Sequence, residues 1–589
     1  MVDTFKGYNH NMRISDGEFF DMKNMTGDHY PVLSPRGNRG VYASPASPNG
    51  LIAKDSLCYV DGRNFVMNEY TIDMGLNDEP KQLISMGAYV IIMPDKKYIN
   101  TQDLTDFGNI EASFPGMEGQ TVTASYEMCK VDGSVYTDVP KAPNAPEEPA
   151  NMQLWIDTST TPHVLKQYSE TSAVWVQIAT TYVKISAPNI AAAFKQYDAV
   201  RISGLPEQLT QLKDIEGQVC PLWAVYHDPG NESGEADGGD PRAEGTWDYI
   251  VIVGILDEAV THESQLRLER TMPIMDFVIE SKNRLWGCHY GVASNGQVVN
   301  EIYASKLGDF KNWNCFMGLS TDSYAVSCGT DGQFTGAITH DGFPLFFKEN
   351  CVHKVYGYYP ANFQIQDTAC SGVQKGCEKS LAIVNTTLFY KARNAVCAYD
   401  GSLPIEMSYA LGSKAYSEAV GGAHGNKYYI SMKDADGEYH LFIYDVAKGI
   451  WHKEDDLPVD YFCSCRGEMY AISGGKIITM LGSGTPDTDP VEWMAETGEI
   501  GIASPDMKYI SRLTIRMSMD IGAEVRISAQ YDFNDQWEHL CDLRGYNLRS
   551  FSIPIRPRRC DYMKLRFEGE GNCKIYSITK TIEQGSELS

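Results

Sequence analysis

The stretch Pro344-Leu-Phe-Phe-Lys-Glu-Asn350 opens a series of four similar phrases, each an apolar and aromatic run next to a turn. The other three are Thr387-Leu-Phe-Tyr-Lys-Ala-Arg-Asn394, Lys427-Tyr-Tyr-Ile-Ser-Met432 and Glu468-Met-Tyr-Ala-Ile-Ser473. Their second residues, Leu345, Leu388, Tyr428 and Met469, lie 43, 40 and 41 positions apart. Hairpins repeating every ~40–50 residues are typical of propeller blades. The spacing therefore predicts a β-propeller.

The same phrase occurs three times earlier in the chain, at Leu57-Cys-Tyr-Val-Asp61, Ala88-Tyr-Val-Ile-Ile-Met93 and Arg284-Leu-Trp-Gly-Cys-His-Tyr290. This makes seven candidate segments, two before a long gap and five after it. We therefore predict about seven blades, the first ones in residues 49–116 and the remaining ones in residues 271–481.

Most of the rest of the chain is also predicted to form β-strands. Residues 117–270 contain strand signals without the blade rhythm, which predicts a small β domain inserted at a hairpin tip, with an acidic glycine-rich surface loop at 231–240. Residues 482–490 form a Gly, Pro and Asp linker, and 491–589 alternate with period two, as in a β-sandwich. Residues 1–48 are predicted to be an extended N-terminal arm. The fold class is thus all-β: a β-propeller with an inserted small β domain and a C-terminal β-sandwich.

Composition narrows the class of protein. The chain has 589 residues, 43% of them hydrophobic, and a formal net charge of −27. Such an acidic protein is a poor candidate for sequence-independent nucleic-acid binding, which needs positive charge. The 15 scattered cysteines indicate buried thiols of a protein assembled in a reducing compartment. Neither a signal peptide nor an apolar run long enough to span a membrane is recognisable.

Motifs that carry chemistry are missing from the sequence. There is no phosphate loop, dinucleotide fingerprint, nucleophile elbow or zinc-protease motif. Asp434-Ala-Asp-Gly437 resembles the start of a calcium loop, but the twelfth position is Asp445 rather than Glu, so a hairpin turn is favoured. The 77 acidic residues neither exclude nor nominate the carboxylate pair of a glycosidase. The sequence therefore nominates no catalytic, cofactor-binding or metal-binding residue, and we expect no enzyme.

Two segments are candidates for contacts between proteins. The arm is apolar and extended yet has no evident sheet of its own, so it packs on its own chain or on a neighbour. A basic cluster stands out in an acidic chain, either as an interface anchor or as an internal partner of Asp561 and Glu568. The candidate interface residues are Tyr30, Val32, Leu33 and Arg36 in the arm and Arg556, Arg558 and Arg559 in the basic cluster.

Several phrases resemble virion proteins of tailed bacteriophages that infect gut Firmicutes, often described as stabilisation or tail proteins. The resemblance extends over nearly the whole chain. It implies a virion location after assembly in the host cytoplasm and, by more distant analogy, the propeller-bearing hub and nozzle proteins of short tails. It implies no catalytic residues. The phrases include Asp16-Gly-Glu-Phe-Phe-Asp-Met-Lys-Asn-Met-Thr-Gly-Asp-His-Tyr-Pro-Val-Leu-Ser-Pro-Arg-Gly37, Leu307-Gly-Asp-Phe-Lys-Asn-Trp-Asn-Cys-Phe316 and Ile575-Tyr-Ser-Ile-Thr-Lys-Thr-Ile-Glu-Gln-Gly-Ser586.

These observations lead us to expect a structural subunit of a phage tail. Its partners would be copies of itself in a cyclic ring, tail proteins on the adaptor or portal side, and fibres. Genomic DNA would pass an acidic lining without specific binding, and a chain lacking residues 1–40 would fold but build no rings. The alternatives are a receptor-binding or glycan-degrading tail protein, or a head-to-tail connector component. A cleft with two carboxylates flanked by exposed Trp or Tyr would favour the glycan-degrading alternative.

Overall fold

The structure is a computed structural model, and it describes residues 1–228, 247–293, 296–486, 489–504, 506–532, 534, 536–545 and 547–584. The glycine-rich loop expected at 231–240 lies outside these residues. Regular structure is nearly all strand, as predicted. Within the described ranges the helices are four short 3-10 segments: Thr210–Ile215, Pro360–Asn362, Glu378–Ser380 and Tyr409–Leu411.

Seven sheets form the propeller, which confirms the predicted fold class. The first strand of each blade contacts the first strand of the next blade around the ring. Between blades 4 and 5 the 3-10 segment Glu378–Ser380 makes the contact instead. The strands of the first six blades are Pro48–Ala53, Leu57–Asp61, Asn64–Met67 and Tyr70–Asp73 (blade 1); Gln82–Met86, Tyr89–Met93, Lys97–Asn100 and Phe107–Asn109 (blade 2); Phe277–Ser281, Arg284–Val292, Val298–Ala304 and Tyr324–Ser327 (blade 3); Gly336–His340, Phe343–Lys348, Cys351–Tyr356 and Gln364–Ala369 (blade 4); Ala382–Val384, Thr387–Lys391, Val396–Tyr399 and Ile405–Glu406 (blade 5); Tyr416–His424, Lys427–Asp434, Tyr439–Asp445 and Ile450–Lys453 (blade 6).

The repeated phrase is the second strand of every blade. This strand has neighbours on both sides within its sheet, and its two faces are covered by other parts of the protein. In blade 5, for example, Leu388, Phe389 and Tyr390 are all at most 1% exposed. A continuous apolar run instead of an alternating one is what such double burial requires. This explains why the phrase recurs with the period of the blades.

Blade 7 is completed by the beginning of the chain. Its strands are Tyr461–Cys465, Glu468–Ser473 and Lys476–Thr479, and Gly40–Ala43 pairs antiparallel with the last of them. The short strand Thr485–Pro486 pairs with the other edge of Gly40–Ala43. Backbone hydrogen bonds between distant parts of the chain therefore close the ring.

The rest of the N-terminal segment belongs to the C-terminal sandwich. Its strands pair with that domain or with each other, and residues 1–35 contribute Phe5, Tyr8, Phe19, Met22, Met25 and Leu33 to the buried core. The sandwich consists of a six-stranded sheet (Gly7–Tyr8, Glu18–Lys23, Glu492–Thr497, Met563–Glu570, Glu524–Tyr531 and Glu538–Arg544) and a three-stranded sheet (Arg549–Ile553, Lys508–Met519 and Cys573–Gln584), with Met25–Thr26 and Ser34–Pro35 paired as a separate ribbon.

The insertion lies between blades 2 and 3 and contains three sheets with a core of its own. Residues 190–193 of the insertion form turns. The sheets are Ala112–Phe114, Arg267–Arg270, Ala199–Ser203 and Val219–Pro221; Ala224–Tyr226, Tyr249–Val253, Tyr182–Ser186, Val122–Cys129 and Val260–Ser264; and Lys141–Ala142, Leu154–Asp157, Val164–Ser169 and Val174–Gln177.

His452 in blade 6 makes the stability of the protein sensitive to pH. The N-terminal segment covers it: Gly27 lies against the ring, and the residue is 4% exposed. Burial, reinforced by the charges of Lys427 and Lys448, lowers the pKa of His452 to about 4. The unfolded chain, with an ordinary histidine pKa near 6.5, therefore binds more protons between pH 6.5 and 4.

We predict that this group makes the folded state less stable by about 3 kcal/mol as the pH falls from 6.5 to 4. Thermal unfolding midpoints measured at pH 7, 5.5 and 4.5 should fall less steeply for His452→Gln than for the wild type. Burial also lowers the pKa of His353 to about 4. This second histidine therefore keeps part of the pH dependence of the unfolding midpoint in the variant. Identical slopes in both proteins would contradict the prediction.

Candidate functional site

A cleft of about 990 Å³ opens where blades 2 and 3 meet the insertion. Blade 2 contributes the side from Tyr89 to Asn109, and the insertion contributes residues 192–196, Asp198, Arg267 and residues 269–271. The turn that follows the third strand of blade 3, residues 308–311, forms the remaining wall. Three segments that are far apart in sequence therefore surround one space, in the size range typical of ligand sites.

Aromatic rings form one side of the cleft. Tyr89, Tyr98 and Phe310 are mutually packed, with ring centroids 5.0–5.8 Å apart. The ammonium group of Lys311 lies 4.0 Å from the centroid of Tyr98. Tyr89 is the first residue of the second strand of blade 2, and Tyr98 lies within the third strand. Because these strands are adjacent in the sheet, the sheet fixes the positions of both side chains. The cluster gives the cleft a rigid apolar surface with a polar edge.

Behind the cleft, a buried ion pair within the insertion is hydrogen-bonded to the propeller. Arg270 is 5% exposed and donates hydrogen bonds to Asp198, itself 4% exposed, and to the carbonyl of Ile110. Asn312 of the blade 3 turn donates to Asp198 Oδ1 at 2.8 Å and to Asp309 Oδ2 at 2.6 Å. The amide of Ala199 in turn donates to Asn312 Oδ1 at 2.9 Å. This network fixes the distance between the walls.

The carboxylates that line the cleft differ in their partners. Glu111 pairs with Lys96 at 2.8 Å, Glu269 pairs with Arg267 at 2.7 Å, and Asp198 pairs with Arg270. Among the described lining residues, Asp106 and Asp309 are the carboxylates that form no ion pair. They come from blade 2 and from the blade 3 turn, two of the segments that line the cleft.

Neutral donors hold both of these carboxylates in place. Tyr89 donates its phenol hydrogen to Asp106 Oδ2 at 3.0 Å, and Asn100 Nδ2 lies 3.3 Å from the same oxygen. Burial, together with the hydrogen bond to Asp106, raises the pKa of Tyr89, so the phenol stays protonated and remains a donor. The backbone N–H of Lys311 donates to Asp309 Oδ1 at 2.9 Å. The two carboxylates are therefore oriented without being neutralised.

The candidate interface residues of the arm lie in two environments. Leu33 is 2% exposed and pairs with Ile575, and Arg36 lies between Glu454 (3.7 Å) and Asp455 (3.3 Å). Both side chains are used inside their own chain, which corrects their assignment to an interface. Tyr30, 40% exposed, and the partly buried Val32 keep their interface role as a prediction.

The basic cluster lies on the surface of the sandwich. Arg556, Arg558 and Arg559 are exposed, and Arg558 contacts Glu538 at 2.5 Å and the ring of Tyr531. The alternative pairing with Asp561 and Glu568 is not what the structure shows for Arg558. An interface role for this cluster stays a prediction.

Sequence reasoning missed Asp106 and Asp309, although a signal was present. Asp106-Phe-Gly-Asn109 and Asp309-Phe-Lys-Asn312 share the pattern Asp-Phe-x-Asn, and each follows the third strand of its blade. In the part of the chain that the structure describes, no group of three or more His, Cys, Asp or Glu side chains is arranged to hold a metal ion. No helix of these residues is long and apolar enough to cross a membrane.

Comparison with known proteins gives likenesses of fold. No protein-family model matches the sequence, and no curated protein matches it. An exo-β-1,3-galactanase from Phanerochaete chrysosporium is 9% identical, with a TM-score of 0.20, over 51% of this chain and 95% of the galactanase. An engineered GH43 glycoside hydrolase is 8% identical, with a TM-score of 0.20, over 52% and 96%. Trypanosoma rangeli sialidase is 8% identical, with a TM-score of 0.16, over 92% and 95%.

Two expectations are wrong in the light of these findings: a ring-forming structural subunit, and a protein that is not an enzyme. The three solved structures compared above are of glycan-acting enzymes, although at this identity and TM-score no activity or residue transfers to this chain. The cleft meets the condition set for the glycan-degrading alternative in its carboxylates, Asp106 and Asp309, but not in its aromatic rings, because Tyr98 is only 9% exposed and Tyr89 is partly buried. The strands of the N-terminal segment, in addition, pair within their own chain, with the sandwich and with blade 7.

Proposed function

We propose that this protein binds a glycan in the cleft between blades 2 and 3 and the insertion, and that it hydrolyses a glycosidic bond there. The observation that carries the proposal is the pair Asp106 and Asp309, two carboxylates that form no ion pair with a described residue and that two different blades contribute to one cleft with aromatic rings on one side.

The walls suit a sugar polymer. A pyranose ring has an apolar C–H face that packs on an aromatic ring and hydroxyl groups that need donors and acceptors. Tyr89 and Tyr98 provide the aromatic surface, while Asn109, Ser113 and Gln196 provide neutral hydrogen-bonding groups. Mostly preformed concave sites with a few placed polar groups are the usual form of ligand sites.

The carboxylate pair suits the reaction. Glycoside hydrolysis uses one carboxyl group to protonate the leaving oxygen and a second to activate water or to attack the sugar. Glu111, Glu269 and Asp198 are less suited to either role because each is held by a cationic side chain. Asp106 and Asp309 have only neutral donors, so either can exchange a proton with the substrate.

The resemblance of the sequence to tailed-phage virion proteins supports a surface polysaccharide of a bacterium as the substrate class. In this proposal the protein acts from the virion on the cell envelope of the host.

We predict that Asp106→Asn and Asp309→Asn each lower hydrolysis by at least about 100-fold, because one half of the acid–base pair is lost. The assay measures new reducing ends from capsular polysaccharide and cell-wall polysaccharide purified from Firmicutes. Asp103→Asn is the matched control, since Asp103 lies three residues before Asp106 but only caps its own turn through Thr105. Binding by calorimetry should survive in all three variants.

The dependence of kcat/KM on pH shows which of the two carboxyl groups is the acid and which is the base. The variant at the base should lose the acidic limb of the kcat/KM profile, and the variant at the acid should lose the alkaline limb. Wild-type binding without new reducing ends would overturn the hydrolytic part of the proposal. Wild-type turnover that both variants retain would overturn the site.

A further inference from the structure

A second cavity, of about 750 Å³, adjoins the cleft and is more apolar. The two spaces are lined by consecutive residues of the same two segments. Lys195, Gln196 and Asp198 line the cleft while Tyr197 lines the second cavity. Likewise residues 308–311 line the cleft while Lys306 and Leu307 line the second cavity. These two segments, residues 195–198 and 306–311, form a bridge between the two spaces. A polymer that leaves the cleft across this bridge would enter the second cavity.

The bridge is held by contacts between its two segments. Lys306 Nζ donates to the carbonyl of Tyr197 at 3.3 Å and lies 5.5 Å from the centre of the Tyr197 ring. Gln196, a cleft residue, donates to the carbonyl of Trp223 at 2.7 Å, and Trp223 lines the second cavity. The two cavities are therefore positioned by one set of contacts.

Trp223 is the central side chain of the second cavity. Its ring meets those of Tyr182 and Tyr197 edge to face, with centroids 5.7 and 6.4 Å apart. Its backbone N–H donates to the carbonyl of Val251 at 2.8 Å, which fixes the residue just before the strand Ala224–Tyr226. Among the described residues, the buried indole nitrogen has no hydrogen-bond partner. A buried donor without an acceptor is costly, so a small shift of the ring that brings the N–H to a bound acceptor oxygen would be favoured.

We infer that this cavity is a second sugar subsite for the glycan bound in the cleft, with Trp223 as stacking surface and as donor to a sugar oxygen. The inference rests on the proposed function. Tyr197, 43% exposed, and Leu307, 41% exposed, complete the apolar surface against which the C–H face of a sugar can pack. Continuity with the cleft, rather than apolarity alone, is the reason to assign a glycan instead of a protein partner.

The experiment measures affinity as a function of glycan length. Size-separated fragments of the Firmicutes cell-wall polysaccharide are titrated into wild type, Trp223→Ala and Trp223→Phe by calorimetry. Tyr409→Ala, at a side chain 80% exposed in the 3-10 segment between blades 5 and 6, is the control. Trp223→Ala should bind long fragments about tenfold more weakly and short fragments unchanged. The affinity of Trp223→Phe for long fragments should lie between those of the wild type and Trp223→Ala, because this variant keeps a ring but loses the N–H.

Other outcomes separate the possibilities. Unchanged affinity of Trp223→Ala for long fragments would overturn the subsite while leaving the cleft intact. An equal loss for long and short fragments, or self-association of the wild type that Trp223→Ala abolishes in light scattering, would also overturn it. If the wild type binds no fragment of any length, the proposed function fails, and the subsite fails with it. Thermal unfolding of each variant checks folding, and Trp223→Phe is the fallback if the alanine variant is unstable.

Discussion

Removal of residues 1–43 is expected to abolish cooperative folding of both the propeller and the sandwich. The deletion takes away the strand Gly40–Ala43 that closes blade 7 and two strands of the sandwich sheet. It also removes the buried side chains of Phe5, Tyr8, Phe19, Met22, Met25 and Leu33. At about 1.5–3 kcal/mol for each such side chain, the loss rivals the ~5–15 kcal/mol by which proteins are usually stable.

Circular dichroism during heating measures this effect. The truncated chain should lack a sharp transition, whereas Tyr30→Ala, at an exposed position of the same segment, should unfold within a few degrees of the wild type. A truncated protein with a native-like spectrum and a cooperative transition would show that the segment is an accessory arm after all. That outcome would restore the expectation of a chain that folds without its first 40 residues.

Asp198→Leu is expected to lower the free energy of unfolding by about 3–5 kcal/mol, because it leaves the guanidinium of Arg270 buried without its carboxylate. It also removes an acceptor from Asn312, which positions Asp309. Chemical unfolding in urea measures the loss. The same variant should lose glycan binding, since the walls of the cleft are no longer held together.

A double variant tests the cause. Asp198→Leu with Arg270→Met replaces the pair by apolar side chains and should recover part of the stability. Glu269→Gln is the matched control, because its pair with Arg267 is only partly buried and should contribute about 0–1 kcal/mol. If Asp198→Leu is no more destabilising than Glu269→Gln, the buried network does not hold the insertion to the propeller.

The propeller was predictable because each blade has the same buried strand. The second strand is covered on both faces, so its residues are apolar throughout, and the repeat can be seen without any knowledge of pairing. The closing strand Gly40–Ala43 gives no such signal. It has four residues, alternates weakly in burial, and depends on a partner that lies far along the chain.

The cleft could not be predicted for a related reason. Asp106 and Asp309 are 203 positions apart in sequence and line one cleft because blades 2 and 3 are neighbours in the ring. Their shared Asp-Phe-x-Asn pattern is too short to stand out among 77 acidic residues. The absence of cationic partners, which distinguishes them from Glu111 and Glu269, is a property of the folded chain.

The strand that closes blade 7 has a consequence for synthesis. Ala43 pairs with Ile477, 434 positions later, so its partner does not exist until the ribosome has made six blades and the insertion. At ~5–20 residues per second, this strand waits about 20–90 s with its backbone groups unpaired. During that time blade 1 also has no neighbour on its blade 7 side. We expect nascent chains stalled before Tyr461 to be bound by chaperones, and chains released only after the sandwich strand Cys573–Gln584 has been made to be free of them.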